Sequence, residues 1–252
     1  MLLFDVHAHL DFDEFKDDLS ELLERCEKDG VKAIVANGIR PDSNRDVIAF
    51  ANRYGIVRPA LGYYPVHVWE HGLGEVRAEL SRIKRYGPAA LGEVGLDYKE
   101  CDSDGECHAD VQKQAFREFV RLGKELDIPL IVHSRKAEED ALDILEEEQA
   151  SRVVLHCFMG KKRLVTRAAD LGYSFSIPAT VAKLEQLQWL VSNVPLRQLL
   201  TETDSPYLGP ARGERNDPRN VRVVVEKVAE LKGMDPTETA NALFMNYQRL
   251  FP

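Results

Sequence analysis

The chain has 252 residues, 30% charged and 44% hydrophobic, which excludes a disordered or collagen-like chain and suffices for one large core. Its 33 Lys+Arg against 42 Asp+Glu leave a net charge of −9, excluding a protein that coats duplex DNA through a broad basic face. A local phosphate grip assisted by metal ions remains compatible with that charge. No apolar run approaches the ~20 residues that span a bilayer. The amino terminus also lacks a charged region followed by an apolar one. The expectation is a soluble, cytoplasmic protein with no membrane association.

In chain order, short apolar runs alternate with longer amphipathic ones. The strand candidates are "LLFDVH" (2–7), "KAIVAN" (32–37), "VRPALG" (57–62), "AALGEV" (89–94), "PLIVH" (129–133), "RVVLH" (152–156), "YSFSI" (173–177) and "QLLTETD" (198–204). They are rich in Val, Ile, Leu and Ala with few alternating polar positions, as suits a parallel sheet covered by helices. Between the first two, Leu19, Leu22, Leu23 and Cys26 share one helical face within 14–29, and Gly30 supplies the stop. Asp42 or Ser43 is expected to cap the next helix, which Gly55 ends. In 109–126, Ala115, Phe119 and Leu122 again form one face. The last 18 residues, "DPTETANALFMNYQRLFP", add an extra helix starting near Asp235 and Pro236. Strands each followed by a helix predict an α/β fold, a (β/α)8 TIM barrel with an extra C-terminal helix, forming one domain over residues 1–252.

In such a barrel the active site lies at the carboxyl ends of the strands. "FDVHAHLD" (4–11) ends the first strand with His7 and His9. Later strands end in Glu93, His133, His156 and Asp204. With 7 histidines an HxH pair is expected by chance about 0.2 times, so that pair alone is a weak signal. A single strand-end histidine is more often a hydrogen-bonded core residue than a ligand. Glu93 and Asp204 in apolar strands carry more weight, because an unpaired buried carboxylate costs several kcal/mol or loses its charge. Divalent metal is the most economical partner. Strand parity puts His7 and His9 on one side, with Asp5 deeper as an acceptor that orients an imidazole. Glu202 shares parity with Asp204, but only Asp204, nearer the top, is expected to bind metal. Cys157 should face away from His156. Six ligands exceed one tetrahedral ion and fit two ions bridged by a carboxylate.

Four cysteines, Cys26, Cys101, Cys107 and Cys157, show no CxxC spacing and read as reduced. Cys101 and Cys107 could pair, or hold a metal with His108, but loop cysteines at such spacing more often do neither.

The stretches "DVHAHLD", "LGEVGLDY", "PLIVHSR", "VVLHCFMG" and "LLTETDSPYLGP", followed by "RGERNDP" and "NYQRLF", resemble the TatD-type metal-dependent deoxyribonucleases of the amidohydrolase superfamily, in order and along essentially the whole chain. The resemblance implies a TIM barrel hydrolysing DNA phosphodiesters with two divalent ions (Mg, Mn or Zn), often from a 3′ end and here on single-stranded or frayed DNA. His7, His9 and Asp204 would bind one ion, His133 and His156 the other, and Glu93 would bridge. Asp204 would accept the nucleophile's proton and Glu93 would fix the metal separation. The family's usual GxHP segment is replaced by "GYYPVH", which puts Tyr64 where a histidine meets phosphate, with His67 three residues on.

For phosphate grip, Arg135 is placed two residues past His133. Arg212, Arg215, Arg219 and Arg222 make the last loop locally basic, and "GKKR" (160–163) opens a helix whose N-terminus favours an anion. For each of these a solvated charge run is at least as good a reading. Tyr63, Tyr64, Trp69 and Tyr98 are candidates to stack a displaced base, whereas Trp189 reads as barrel–helix packing. A second reading is a superfamily hydrolase acting on a small phosphoester or cyclic amide. The bridging lysine common in those barrels is missing from the fourth strand. A third reading, a non-catalytic binding barrel, would be expected to have lost ligands.

Overall fold

The structure, a computed structural model, describes residues 1–101, 104–211 and 213–251. Eight strands lie in one sheet in sequential order: β1 (Leu3–Ala8), β2 (Val31–Asn37), β3 (Val57–Leu61), β4 (Ala90–Asp97), β5 (Leu130–Arg135), β6 (Val153–His156), β7 (Ser174–Ile177) and β8 (Leu199–Thr201). All neighbouring pairs are parallel. The sheet curls into a nearly closed barrel, with its seam between β1 and the segment that follows β8. There the Asp204 N–H donates to the His7 carbonyl at 2.8 Å, and the His9 N–H donates to the Ser205 carbonyl at 2.8 Å. The Asp5 carboxylate accepts the backbone N–H groups of His7 and Thr203, each at 3.0 Å.

The helices are α1 (Leu19–Lys28), α2 (Pro41–Arg53), α3 (Pro65–His71), α4 (Leu73–Tyr86), α5 (Ala109–Leu126), α6 (Glu138–Glu147), α7 (Lys162–Asp170), α8 (Glu185–Asn193), α9 (Val221–Lys232) and α10 (Pro236–Leu250). Alternation along β1 explains the layering. Asp5 and His7 point into the barrel, while Phe4 points out and stacks on Tyr247 of α10 at 5.0 Å. Each such fully buried side chain contributes about 1.5–3 kcal/mol. The extra helix therefore covers the β1–β8 seam. Its start follows from Asp235, whose carboxylate accepts the N–H groups of Thr237 and Glu238 at 2.7 and 3.1 Å.

Several expected boundaries move. α1 starts at Leu19 rather than at 14, because Asp13–Phe15 forms a separate 3-10 turn. Neither Asp42 nor Ser43 is the cap of α2, which opens with Pro41. The Ser43 hydroxyl instead accepts the Ile39 N–H at 3.1 Å. Two helices follow β3, separated at Gly72, whose φ of +81° ends α3. The last strand stops at Thr201, three residues before Asp204, whose φ of +56° turns the chain across the top of the barrel.

The reduced reading of the loop cysteines is corrected. Cys101 and Cys107 are disulfide-bonded, because the loop after β4 doubles back near Gly105, φ +81°, and brings their Cα atoms to 4.2 Å. Among the described residues no helix is long and apolar enough to cross a membrane.

Candidate metal centre

The predicted strand-end residues converge at the carboxyl end of the barrel. His7 and His9, two apart on β1, project the same way, and their Nε2 atoms lie 3.1 Å apart. Asp204 Oδ1 is 3.5 Å from the His7 Nε2 and 3.4 Å from that of His9, and Glu93 Oε2 sits at 3.5 and 3.4 Å from the same two atoms. The other Glu93 oxygen, Oε1, is 2.8 Å from His133 Nδ1. One carboxylate thus spans two groups of donors, His7–His9–Asp204 and Glu93–His133–His156. The imidazoles of His7 and His156 stack at 3.7 Å between them.

These spacings fit divalent ions. An ion about 2.1 Å from each of four tetrahedral donors holds those donors about 3.4 Å apart, and the distances around His7 and His9 run from 3.1 to 3.5 Å. The far nitrogens of His9 and His156 are committed elsewhere, as ligating imidazoles require, whereas the buried His7 Nδ1 has no hydrogen-bond partner among the described residues. His9 Nδ1 meets the Asn37 carbonyl at 3.1 Å, and His156 Nδ1 meets Glu202 at 2.7 Å. Each tautomer therefore leaves Nε2 free to face the centre.

The electrostatics agree. Burial opposes charge on His9, yet Asp204 and Glu93 outweigh it and lift its pKa to about 9. Burial likewise opposes charge on His156, which Glu202 and Asp204 lift to about 10. Glu93 and Asp204 remain ionised despite their burial, because the surrounding imidazoles hold both carboxyls below their usual range. His7, the most enclosed of the set, is pushed down by desolvation and by His156.

The sequence reading missed Asp97. It lies four residues past Glu93 on β4 and so shares its side, a parity signal that was present in "GEVGLD". Its Oδ2 accepts from the Tyr64 hydroxyl at 2.8 Å and meets His133 Nε2 at 3.0 Å, while Oδ1 accepts the N–H groups of Lys99 and Glu100. Burial works against its charge, but His133 and Tyr64 hold its pKa at about 2.

Two expectations, on Asp5 and Cys157, are corrected. Asp5 contacts no imidazole. It fastens the β1–β8 seam, and desolvation raises its pKa to about 8. Glu202, not expected to bind metal, accepts from the Cys157 N–H at 3.0 Å and from Ser176 as well as from His156, and its carboxylate forms a third donor group with His7 and His156. Cys157 does not face away, since β6 ends at His156 and Cys157, φ +41°, turns into the cleft, where burial pushes its thiol up.

Above the centre opens a cleft of about 670 Å³. Tyr64, His67 and Arg135 line it, with His67 paired to Glu70 at 2.7 Å and Arg135 to Glu100 at 3.1 Å. Of the proposed stacking rings only Tyr64 reaches it. Tyr63 is buried against His71, Trp69 stacks on His108, and the Tyr98 hydroxyl donates to Asp140. Phe12 and Tyr207 line the cleft instead.

Among the described residues, the basic segments do not line the cleft. Arg215 is held by Asp18 and Arg219 by Asp217. Arg222 donates to the Asp29 carbonyl, and Arg163 of α7 pairs with Glu139. Arg212 lies outside the described residues. Trp189 packs on the core as expected, beneath Lys162.

Comparison with known proteins agrees with this geometry. Residues 4–252 match the family described as TatD related DNase. The protein named "Deoxyribonuclease TATDN3" of Homo sapiens is 34% identical, covering 99% of this chain and 94% of its own. "Uncharacterized metal-dependent hydrolase YabD" of Bacillus subtilis is 36% identical, covering 99% of both chains. The crystal structure of YjjV, a TatD homolog from Escherichia coli, superposes with a TM-score of 0.89 at 28% identity, over 99% of this chain and 97% of that one. On the match along its length and a barrel that gathers the expected donors, this chain belongs to the TatD related DNases, a family of metal-dependent hydrolases.

Proposed function

We propose that the protein is a deoxyribonuclease that hydrolyses DNA phosphodiesters as a 3′-end exonuclease on single-stranded or frayed ends, using two divalent ions. It would act as one domain over residues 1–252, in the cytoplasm. The observation that carries this reading is the Glu93 carboxylate, with one oxygen toward His7 and His9 and the other toward His133. His7, His9 and Asp204 would hold one ion, His133 and His156 the second, with Glu93 between them. Bound there, Mg, Mn or Zn would supply Lewis-acid polarisation of a phosphoryl oxygen and acidify the attacking water.

The chain's own groups then have distinct tasks. Glu93 fixes the separation of the two donor groups. Asp204, at the cleft floor and held ionised by the imidazoles, accepts the nucleophile's proton. Tyr64, His67 and Arg135 face the substrate, and Arg135 reaches phosphate by exchanging its exposed Glu100 partner. The Tyr64 hydroxyl donates a hydrogen bond to Asp97 and keeps its proton, so its contribution is a neutral hydroxyl.

The decisive experiment strips the protein with a chelator, restores Mg, Mn or Zn singly, and follows a 5′-labelled single-stranded oligonucleotide. Stepwise shortening from the 3′ end that returns only with metal is expected. Opening of a dihydroorotate-like amide with no effect on DNA would favour the cyclic-amide alternative instead.

A further inference from the structure

Away from the donor groups, the cleft offers little positive charge to a polyanion. Beyond Glu93 and Asp204, the carboxylates of Glu100 and Glu138 line it, and among the described residues the one guanidinium there is that of Arg135, itself paired with Glu100. The arginines of the last loop that the structure describes are committed to acidic or carbonyl partners outside it. What the mouth of the cleft offers instead is aromatic and apolar surface.

Tyr207 stands out there. Its side chain is 51% exposed, among the largest exposures of any bulky apolar side chain in the protein. Its backbone, in contrast, is clamped. The Tyr207 N–H donates to the Asp204 carbonyl at 2.8 Å, and its carbonyl accepts from Asn216 Nδ2 at 2.6 Å. Asn216 is buried and also holds the Thr203 carbonyl at 2.9 Å. A rigid backbone therefore presents an exposed ring three residues from a group of the proposed metal centre. Phe12 meets that ring edge-on, with centroids 5.8 Å apart and planes at 75°, so at least one face of Tyr207 stays open. Phe12 in turn lies flat on His9 at 4.9 Å. A continuous chain of rings runs from the cleft mouth to the donors.

We propose that Tyr207, braced by Phe12, is the platform on which the base of the terminal nucleotide stacks, so that an unpaired base, more than a phosphate track, selects the substrate. The inference deepens the nuclease reading and rests on it. An aromatic face accepts any base, but only one whose own faces are exposed, which a base inside a duplex is not. Tyr207 is a binding residue in this account, so its loss should raise KM and spare kcat.

The test uses the metal-loaded wild-type protein with the Tyr207→Ala and Tyr207→Phe variants. Hydrolysis of a labelled single-stranded oligonucleotide is followed under competition from dAMP or from deoxyribose 5-phosphate. In wild type dAMP should compete about tenfold more strongly than the base-free sugar phosphate, and Tyr207→Phe should keep that margin. Tyr207→Ala should erase it, with KM for the oligonucleotide raised about tenfold. Because the ring is half in solvent, the thermal midpoint should hold. A margin that persists in Tyr207→Ala, or a wild type that shows none, overturns the platform and leaves the nuclease reading standing. A wild type that cleaves no oligonucleotide with any ion overturns both.

Discussion

His133 is gripped from both sides, by Glu93 on Nδ1 and by Asp97 on Nε2, and Asp97 also fastens the start of the loop after β4 through Lys99 and Glu100. Replacing Asp97 by Asn removes the charge that orients this ring while keeping the shape. Asp97→Asn is expected to weaken metal binding about 10- to 100-fold, read by chelator competition, with the far-UV spectrum unchanged. Glu93→Gln should go further and abolish metal-dependent turnover in a folded barrel, because a neutral amide cannot serve both donor groups. Wild-type rate in nuclease-free Glu93→Gln protein would overturn that role. At this scale the sequence was informative where a residue type was costly to bury, as with Glu93 and Asp204. It was silent on which carboxylate supports which imidazole, because Asp5 and Asp97 on their strands and Glu202 just past β8 read alike, and only their neighbours across the barrel distinguish them.

Strand β4 carries both Glu93 and Asp97, and it can lie close to β5 only because Gly95 separates them. Gly95 has φ +143°, and a Cβ there would collide with the His133 carbonyl. Gly95→Ala should therefore push β4 from β5, destabilise the fold by more than about 2 kcal/mol and loosen His133 from both partners. A melting temperature equal to wild type would refute this. Helix α5 and the extra helix α10 follow their sequence signals closely, since a long amphipathic face and the Asp235 cap act locally. The end of β8 falls at Thr201 rather than Asp204, because past Thr201 the ladder gives way to an isolated bridge between Ala8 and Ser205 at the seam with β1. Pairing across the barrel overrode the local pattern.

For the molecule as a whole, the buried donors tie stability to metal and to pH. In the metal-free protein His9 and His156 have pKa values raised to about 9 and about 10, so the folded state binds their protons more tightly than the unfolded chain. That contribution is complete below about 6.5 and is lost as pH rises through 9 to 10. On the proposed assignment of these imidazoles, metal displaces the same protons, so ion-dependent stabilisation should weaken on acidification and metal uptake near pH 7 should release protons. The gap between the melting temperatures of metal-loaded and chelated protein should therefore widen from pH 5 to pH 10. Parallel curves would contradict the assignment of these imidazoles to a metal centre.

The amino-acid sequence alone determined the barrel, the order of its strands and the residue types at their carboxyl ends, because apolar runs at parallel-strand length and acids within them are constraints each segment carries by itself. The tertiary structure decided the rest. It removed Tyr63, Trp69 and Tyr98 from the cleft, brought Phe12 and Tyr207 to it, tied up the basic loop, and joined Cys101 to Cys107. Which of several similar side chains faces a shared cavity depends on where loops from distant strands come to rest, and no single segment encodes that.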